Sequence, residues 1–402
     1  MDRDNVRQQK LFMNNPLEIF LFVDALGWKI SEKHAFLSDF LPYRQAVDMQ
    51  FGYSCTALPT ILTGQRPAVH RHLSFYYHDP EHSPFRLFRY LSLVLRPKSF
   101  WQRGRIRHHL SRLTRTLLGY TGYFQLYSVP FDRLPFFNYC EKHDIFAPGG
   151  LAPVANLHDA LAASGLNFHL TDWRRPETAN LTAARAQAAD PTMRFIFLYT
   201  AKLDGLLHQH VNHDDVIGRQ LKVYSDECQT LFRVAREHHD QVCLTVISDH
   251  GMTPLRQTFD LQAAVEKLNL RFGTDYSACY DSTMARFWFL NPAARSGLTE
   301  ALAAAPGHWL SEEEMHRYGI ACPDHQFGEA IFLLDNGIQI IPSDMGLKPL
   351  PGMHGYAPEE AESQAAIFST HPFDDCPIHT VADFFTLMMK RIEKLKKHAQ
   401  QS

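Results

Sequence analysis

Asp249 and His250 stand side by side in Ser248-Asp249-His250-Gly251, directly after Val242–Ile247, a run of apolar and largely β-branched residues. A carboxylate beside an imidazole is a mixed oxygen and nitrogen donor pair of the kind that divalent metals take up. Alone, such a pair reads equally well as a helix cap or a turn. The pattern recurs, however. Leu17–Val23 is a second apolar run and ends in Asp24; Phe195–Ala201 is a third and leads to Asp204, with His208 and His210 close behind. The four-residue spacing of Asp204 and His208 puts both on one face of a helical turn. Further on, Gly352 and Gly355 flank His354, and their freedom allows a sharp loop to carry an imidazole into a crowded site. Carboxylates packed together repel and desolvate one another, so three converging aspartates need cations to hold them. Asp24, Asp204, Asp249, His208, His250 and His354 therefore form a candidate site for two divalent ions. The donor set suits zinc, with manganese or iron as alternatives.

A hydroxyl comes from the stretch Gly52 to Gly64. Ser54 reads as an N-cap, Pro59 fits only near a helix start and Gly64 is a stop, which predicts a short helix with Ser54 at its positive end. Phosphoryl groups are stabilised at such an end by free N–H groups and the helix dipole. The same serine also fits the role of an ordinary cap.

The elements that must position these residues follow from periodicity. Continuous apolar runs such as Leu17–Val23, Phe195–Ala201 and Val242–Ile247 read as strands buried on both faces, hence parallel. Ligands in open α/β sheets bind beyond the carboxyl ends of the strands, which is where each run delivers its aspartate. Helices are expected over Leu157–Ala163, Ala179–Ala189, Leu261–Leu268, Leu298–Ala304 and Thr380–Lys397, and strands over Asn167–Thr171, Met284–Leu290 and Ala330–Leu334. Asp214–His238 is a long amphipathic helix that supplies a crossover between two metal-bearing strands. Ile30 to Phe51 reads as a short helix or loop. The fold expected is α/β: a doubly wound, mostly parallel sheet flanked by helices, from residues 1–79 and 146–402, with a mainly helical cap inserted at 80–145.

That insertion differs in composition. Between His82 and Phe131 stand nine Lys or Arg and no Asp or Glu, in a chain whose net charge is -3. Phe85 to Leu118 mixes Leu, Phe, Trp and Arg at loosely helical spacing, broken by Pro97 and Gly104, and Tyr120–Phe137 is aromatic. An acidic body with one basic, aromatic segment suggests that 85–118 meets an anionic partner, either a membrane surface or extra phosphates of a substrate. A solvated basic helical face reads as well. No apolar run reaches transmembrane length, and the N-terminal residues lack the apolar stretch of a secretory signal. The seven cysteines show no CxxC spacing, which argues against a disulfide framework or a zinc knuckle. The expected location is cytoplasmic, peripheral to a membrane if the basic segment docks there.

The ordered set Val23-Asp24, Ser54 ten residues before the Gly64 of Thr63-Gly64, Asp204-x3-His208, Ser248-Asp249-His250-Gly251-Met252 and His354-Gly355-Tyr356 resembles the alkaline phosphatase superfamily, nearest to its nucleotide pyrophosphatase/phosphodiesterase branch. The matching motifs span residues 17–74 and 192–357. The resemblance implies Ser54 as nucleophile, Asp204, His208 and His354 on one metal, and Asp24, Asp249, His250 and the Ser54 hydroxyl on the other. It implies a metal-dependent hydrolase of phosphodiester or pyrophosphate bonds working through a phosphoryl-serine. Three departures stand out. The branch usually has Thr where this chain has Ser54. It places an Asn about 21 residues past the nucleophile, where Phe75 stands here beside Ser74. The Phe85–Phe137 insertion has no counterpart. Phosphomonoester or phosphonate hydrolysis, and transfer of a phospho-alcohol group to a glycan or lipid, are the alternatives these departures leave. Ser74, His72, Lys202 and His210 are candidate contacts to the substrate phosphate, each equally readable as a surface or supporting residue. The expected partner is a nucleotide or lipid-linked phosphate ester, not a nucleic-acid polymer.

Overall fold

Side chains of β1 (Pro16–Val23) alternate between two buried faces. In the computed structural model, which describes residues 15–90, 101, 103–374 and 376–401, this strand lies inside a six-stranded sheet. The other strands are β2 (Tyr43–Val47), β3 (Phe168–Leu170), β4 (Phe195–Thr200), β5 (Gln241–Ile247) and β6 (Ala365–Ser369), in the order β2-β6-β5-β1-β4-β3. β5, β1, β4 and β3 run parallel, with Val23 opposite Thr200 and Phe22 opposite Ile247, so β1, β4 and β5 end at one edge. β6 enters between β5 and β2 and is antiparallel to both. The sheet is thus mostly parallel, as the apolar runs predict. The sequence reading missed β2 and β6: five residues without alternation carry too little periodicity to separate a strand from a loop.

Ile19, Leu21 and Val23 face one layer, where Ile217, Leu221, Tyr224, Cys228, Leu231 and Ala235 of the long helix Asp214–His238 pack at three- and four-residue spacing. Phe20 and Phe22 face the other layer, against Leu58, Ile61 and Leu62 of helix α1 (Ser54–Thr63) and Phe384, Leu387 and Met388 of the last helix, Asp383–Gln401. Each such side chain contributes about 1.5–3 kcal/mol through burial. The long helix connects β4 to β5 and matches its expected span, Asp214–His238. The helix expected over Leu298–Ala304 instead occupies Pro292–Ala301, because Asn291 caps it and Pro292 fits its first turn.

A second, antiparallel sheet contains Tyr276–Tyr280, Met284–Phe289, Ala330–Leu334 and Gly307–Trp309. The basic segment rests against it. Its base is a hairpin of Tyr76–His78 with Phe137–Tyr139, and its aromatic residues share a core with Cys279 and Trp288. Gly104 opens helix α2 (Gly104–Leu118); Pro97 lies outside the described residues. Arg107 is turned inward: it donates to the carbonyls of Val129 at 2.9 Å and Trp101 at 3.1 Å, with its guanidinium over the Phe131 ring. One of the nine basic residues is therefore structural, since a buried guanidinium needs acceptors for its N–H groups.

Candidate metal centre and catalytic cavity

The loops that leave β1 and β5 touch backbone to backbone. A Cβ on Gly27 would lie 2.4 Å from the Cα of Gly251, and one on Gly251 would lie 2.1 Å from the Glu362 carbonyl oxygen, so neither position admits a side chain. The segment before β6 ties both loops: the Ser363 carbonyl accepts from Gly251 N at 3.1 Å, and the Gln364 carbonyl from Trp28 N at 3.0 Å. Asp249 Oδ1 accepts from the Ala25 amide at 3.1 Å and from His250 N at 3.0 Å. Asp24 and Asp249 thereby share one edge, both buried.

The third aspartate arrives on helix α3 (Lys202–His210), which follows β4 and holds Asp204 and His208 one turn apart, 3.4 Å between Oδ1 and Nε2. His208 Nδ1 lies 2.8 Å from the Gly352 carbonyl oxygen and His250 Nδ1 2.9 Å from that of Gly251. A carbonyl only accepts, so each Nδ1 is the donor here, and Nε2 is the nitrogen left to face the aspartates. His250 Nε2 lies 2.9 Å from Ser54 Oγ, 3.2 Å from Asp249 Oδ2 and 3.7 Å from Asp24 Oδ1. His354 stacks on His250 with ring centroids 3.7 Å apart, its Nε2 3.6 Å from Asp204 Oδ1.

The electrostatics of this cluster are those of an uncompensated carboxylate group. Burial pushes the Asp24 carboxyl well above the usual carboxylate range, and Asp249 and Asp204 push it further. Burial also raises Asp249. Burial, then His250 and His208, hold the His354 imidazole well below its usual range, so it is neutral. Asp204 Oδ1, Asp249 Oδ2 and His354 Nδ1 are buried without a hydrogen-bond partner. Buried polar atoms are seldom left so. Two donor groups close enough for one ion each emerge, Asp24, Asp249 and His250, and Asp204, His250 and His354, all ligand atoms within 4.8 Å in each. The donor chemistry and the orphaned atoms fit divalent metals.

Tyr53, not Ser54, caps α1; Ser54 is its first helical residue. The reason is Thr56, whose hydroxyl oxygen accepts from Tyr53 N at 3.3 Å and donates to the Leu73 carbonyl. That frees Ser54 Oγ to face the aspartates, 3.4 Å from Asp24 Oδ1. Tyr199, at the end of β4, donates to Asp24 Oδ2 at 3.2 Å. Sequence reasoning passed over this tyrosine as one more apolar strand residue; its place at the strand end was the available signal.

Above the cluster opens a cavity of about 1030 Å³, lined by Asp24, Ser54, Asp204, His208 and His354 at its floor and by Phe75, Tyr123, Tyr127, Phe146 and Trp173 on its walls. The four candidate phosphate contacts are not among its lining residues. Ser74 is buried and donates to Asp281 Oδ1 at 2.7 Å; His72 is held by the His70 carbonyl at 2.7 Å; Lys202 and His210 are exposed. A helix turn that aims Asp204 inward points Lys202 and His210 out, because they fall on other faces of α3.

Comparison with known proteins agrees with this architecture. The family described as "Type I phosphodiesterase / nucleotide pyrophosphatase" matches residues 52–300. Murine ectonucleotide pyrophosphatase/phosphodiesterase 5, in an inactive variant bound to AMP, superposes with a TM-score of 0.64 at 14% identity, covering 94% of this chain and 95% of that one. The human counterpart superposes equally, with a TM-score of 0.64 at 12% identity, covering 94% and 95%. No curated protein matched. With its fold and more than half its length accounted for, the chain belongs to the type I phosphodiesterase/nucleotide pyrophosphatase family, within the alkaline phosphatase superfamily.

Proposed function

We propose that the protein is a two-metal hydrolase of phosphodiester or pyrophosphate bonds that works through a phosphoryl group held on Ser54. The observation that carries this reading is the convergence of three aspartates and three histidines on one serine hydroxyl, 2.9 Å from His250 Nε2, at the floor of a large cavity. Asp24, Asp249 and His250 would hold one ion beside Ser54, and Asp204, His208 and His354 the other; zinc fits the donors. Bound there, the ions supply Lewis acidity to the attacking and leaving oxygens.

The chain's own residues do the rest. Ser54 Oγ forms the bond to phosphorus as the alcohol or phosphate of the substrate departs, and water then cleaves the phosphoserine. The Ser54 and Cys55 N–H groups precede the first intrahelical bonds of α1, which Thr56 and Ala57 make to the Tyr53 carbonyl, and so favour a phosphoryl oxygen; Cys55 lines the cavity. Tyr199 and the Ala25 amide fix Asp24 and Asp249 in place. Phe75, at the sequence position where the resembled branch has an Asn, lines the cavity together with Tyr123, Tyr127, Phe146 and Trp173, so the cavity would support the second ester substituent chiefly by apolar contact. That favours a diester over a monoester, whose second substituent is an oxygen. The AMP held by the murine relative supports a nucleotide as one substrate.

We assign peripheral membrane contact to the outer face of α2. There Leu113 and Leu117 are 56% and 77% exposed, among exposed Arg105, His109 and Arg112. Basic residues flanking exposed leucines suit an anionic bilayer surface.

The test is hydrolysis of bis-p-nitrophenyl phosphate against p-nitrophenyl phosphate by zinc-reconstituted protein and by Ser54→Ala. The diester should be cleaved preferentially, with Ser54→Ala at least about a thousandfold slower. Preference for the monoester would favour a phosphatase, dependence on an added alcohol acceptor a transferase. A fully active Ser54→Ala enzyme would remove Ser54 from the mechanism.

A further inference from the structure

His208 and His250 each donate from Nδ1 to a backbone carbonyl, but His354 does not: its Nδ1 is buried without a partner. What holds this imidazole comes from the second sheet. Thr283 lies in the turn between the strands Tyr276–Tyr280 and Met284–Phe289 and is 0% exposed. The turn is rigidly tied, since the Thr283 carbonyl accepts from Leu334 N at 2.9 Å and the Ser282 carbonyl from Ile340 N at 2.8 Å. From there the Thr283 hydroxyl donates to the carbonyl of Gly355, the residue after His354, at 2.7 Å.

Tyr53 completes the connection. Its hydroxyl oxygen accepts from Thr283 N at 3.1 Å and lies 2.9 Å from Thr283 Oγ1. The Thr283 proton is committed to a carbonyl, which only accepts, so Tyr53 is the donor between the two hydroxyls. Burial, then Asp281, hold the Tyr53 phenol well above its usual range, which keeps that proton in place. The Tyr53 ring also stands edge-on to His354, with centroids 5.7 Å apart. A Cβ on Gly355 would lie 2.6 Å from Tyr53 Cε1 and 3.0 Å from Thr283 Oγ1, so only glycine lets the three meet. At its other end Tyr53 directly precedes Ser54, and its carbonyl accepts from Thr56 N at 2.7 Å and Ala57 N at 2.9 Å, the first bonds of α1.

We propose that Tyr53 and Thr283 are positioning residues that set His354 against Ser54, so that the antiparallel sheet fixes the spacing between the nucleophile and one half of the metal centre. Hydrogen bonds behind a metal ligand change affinity or turnover about 10- to 100-fold. This inference rests on the two-metal hydrolase reading for its turnover arm, while its zinc arm needs no substrate.

Three variants test it. Tyr53→Phe keeps the ring and removes the hydroxyl, Thr283→Val keeps the size and removes the hydroxyl, and Thr283→Ser keeps the hydroxyl. In zinc titration against a chelating dye, Tyr53→Phe and Thr283→Val should each weaken one of two ions at least about tenfold and leave the other within about twofold, with Thr283→Ser close to wild type. The double variant should bind that ion no more weakly than the worse single variant, because the two hydroxyls act as one chain. With bis-p-nitrophenyl phosphate, the two hydroxyl-deleting variants should lose kcat at least about tenfold with KM within about twofold. The selective zinc loss upholds the positioning role even if wild type cleaves no diester, an outcome that would count against the hydrolase reading alone. If Thr283→Val does not fold, Tyr53→Phe decides the matter by itself. Wild-type zinc binding and kcat in Tyr53→Phe, an equal weakening of both ions, or Thr283→Ser as impaired as Thr283→Val overturns the positioning role and leaves the hydrolase standing.

Discussion

Replacing Asp24 by Asn should move stability in opposite directions with and without metal. Asp24 is 4% exposed, and its carboxylate belongs to a donor group whose ligand atoms lie within 4.8 Å of one another. Two like charges at that separation repel by roughly 3 kcal/mol at an effective dielectric of about 20. The folded state also holds the Asp24 carboxyl above its usual range, so the penalty is small below that range and grows as pH rises. Asn keeps the shape and, through its oxygen, the Tyr199 hydrogen bond. At pH 8 the metal-free variant should therefore be more stable than wild type by about 1–3 kcal/mol, a rise of a few degrees in Tm. Metal reverses the order. Wild type at a thousandfold excess of zinc over Kd gains about 4 kcal/mol per ion, and the variant loses most of one such term. Thermal unfolding of both proteins in EDTA and in zinc reads this directly. If Asn destabilises the metal-free protein as much as the zinc-loaded one, Asp24 is a structural hydrogen-bond acceptor and the cation argument fails.

Three further outcomes are expected. Tyr199→Phe removes the donor to Asp24 and should weaken zinc affinity or turnover about 10- to 100-fold, measured by competition with a chelating dye; unchanged affinity would mean that the tyrosine only packs. Glu18 lies at the far end of β1, its carboxyl pushed up to about 7 by burial and one oxygen without a partner, so the folded state holds a proton between about 4.5 and 7 and wild-type stability falls across that window. Glu18→Gln should escape this decline and lead wild type by up to roughly 3 kcal/mol in urea unfolding at pH 8 but not at pH 4, with turnover unaffected; parallel curves at the two pH values would refute it. Leu113→Ser with Leu117→Ser should abolish sedimentation with anionic liposomes at low salt, binding that neutral vesicles do not support; retention of binding would take the membrane away from α2.

The edge that gathers Asp24, Asp204 and Asp249 was legible because its strands are long, apolar and each followed by an aspartate. Buried parallel strands cannot hide that pattern. His354 was legible for another reason: its glycines announce a tight loop. The cavity walls were not. Phe75, Tyr123, Tyr127 and Trp173 come from four places in the chain, and aromatic residues in a loop-rich segment look alike whether they fill a core or face a ligand. Glu141, a buried carboxyl in the same cavity wall, was hidden because nothing local marks a carboxylate as buried. Ser74, read from its place beside Phe75, is paired with Asp281, and Lys202, read from its nearness to Asp204, faces outward on α3, so neither lines the cavity.

β6 gives the protein an order of assembly. The loops that carry Asp24 and Asp249 are pinned through the carbonyls of Ser363 and Gln364, and β2 reaches the sheet only through β6. A nascent chain that has already made its nucleophile, its three aspartates and even His354 still lacks the strap that fixes two of those aspartates. On the proposed mechanism the site would be complete only when β6, the last strand among the described residues, has inserted between its neighbours, a long-range pairing of the kind that folds slowly. Incomplete copies of this chain would hold the ligands without the geometry, and so would not become unregulated phosphodiesterases.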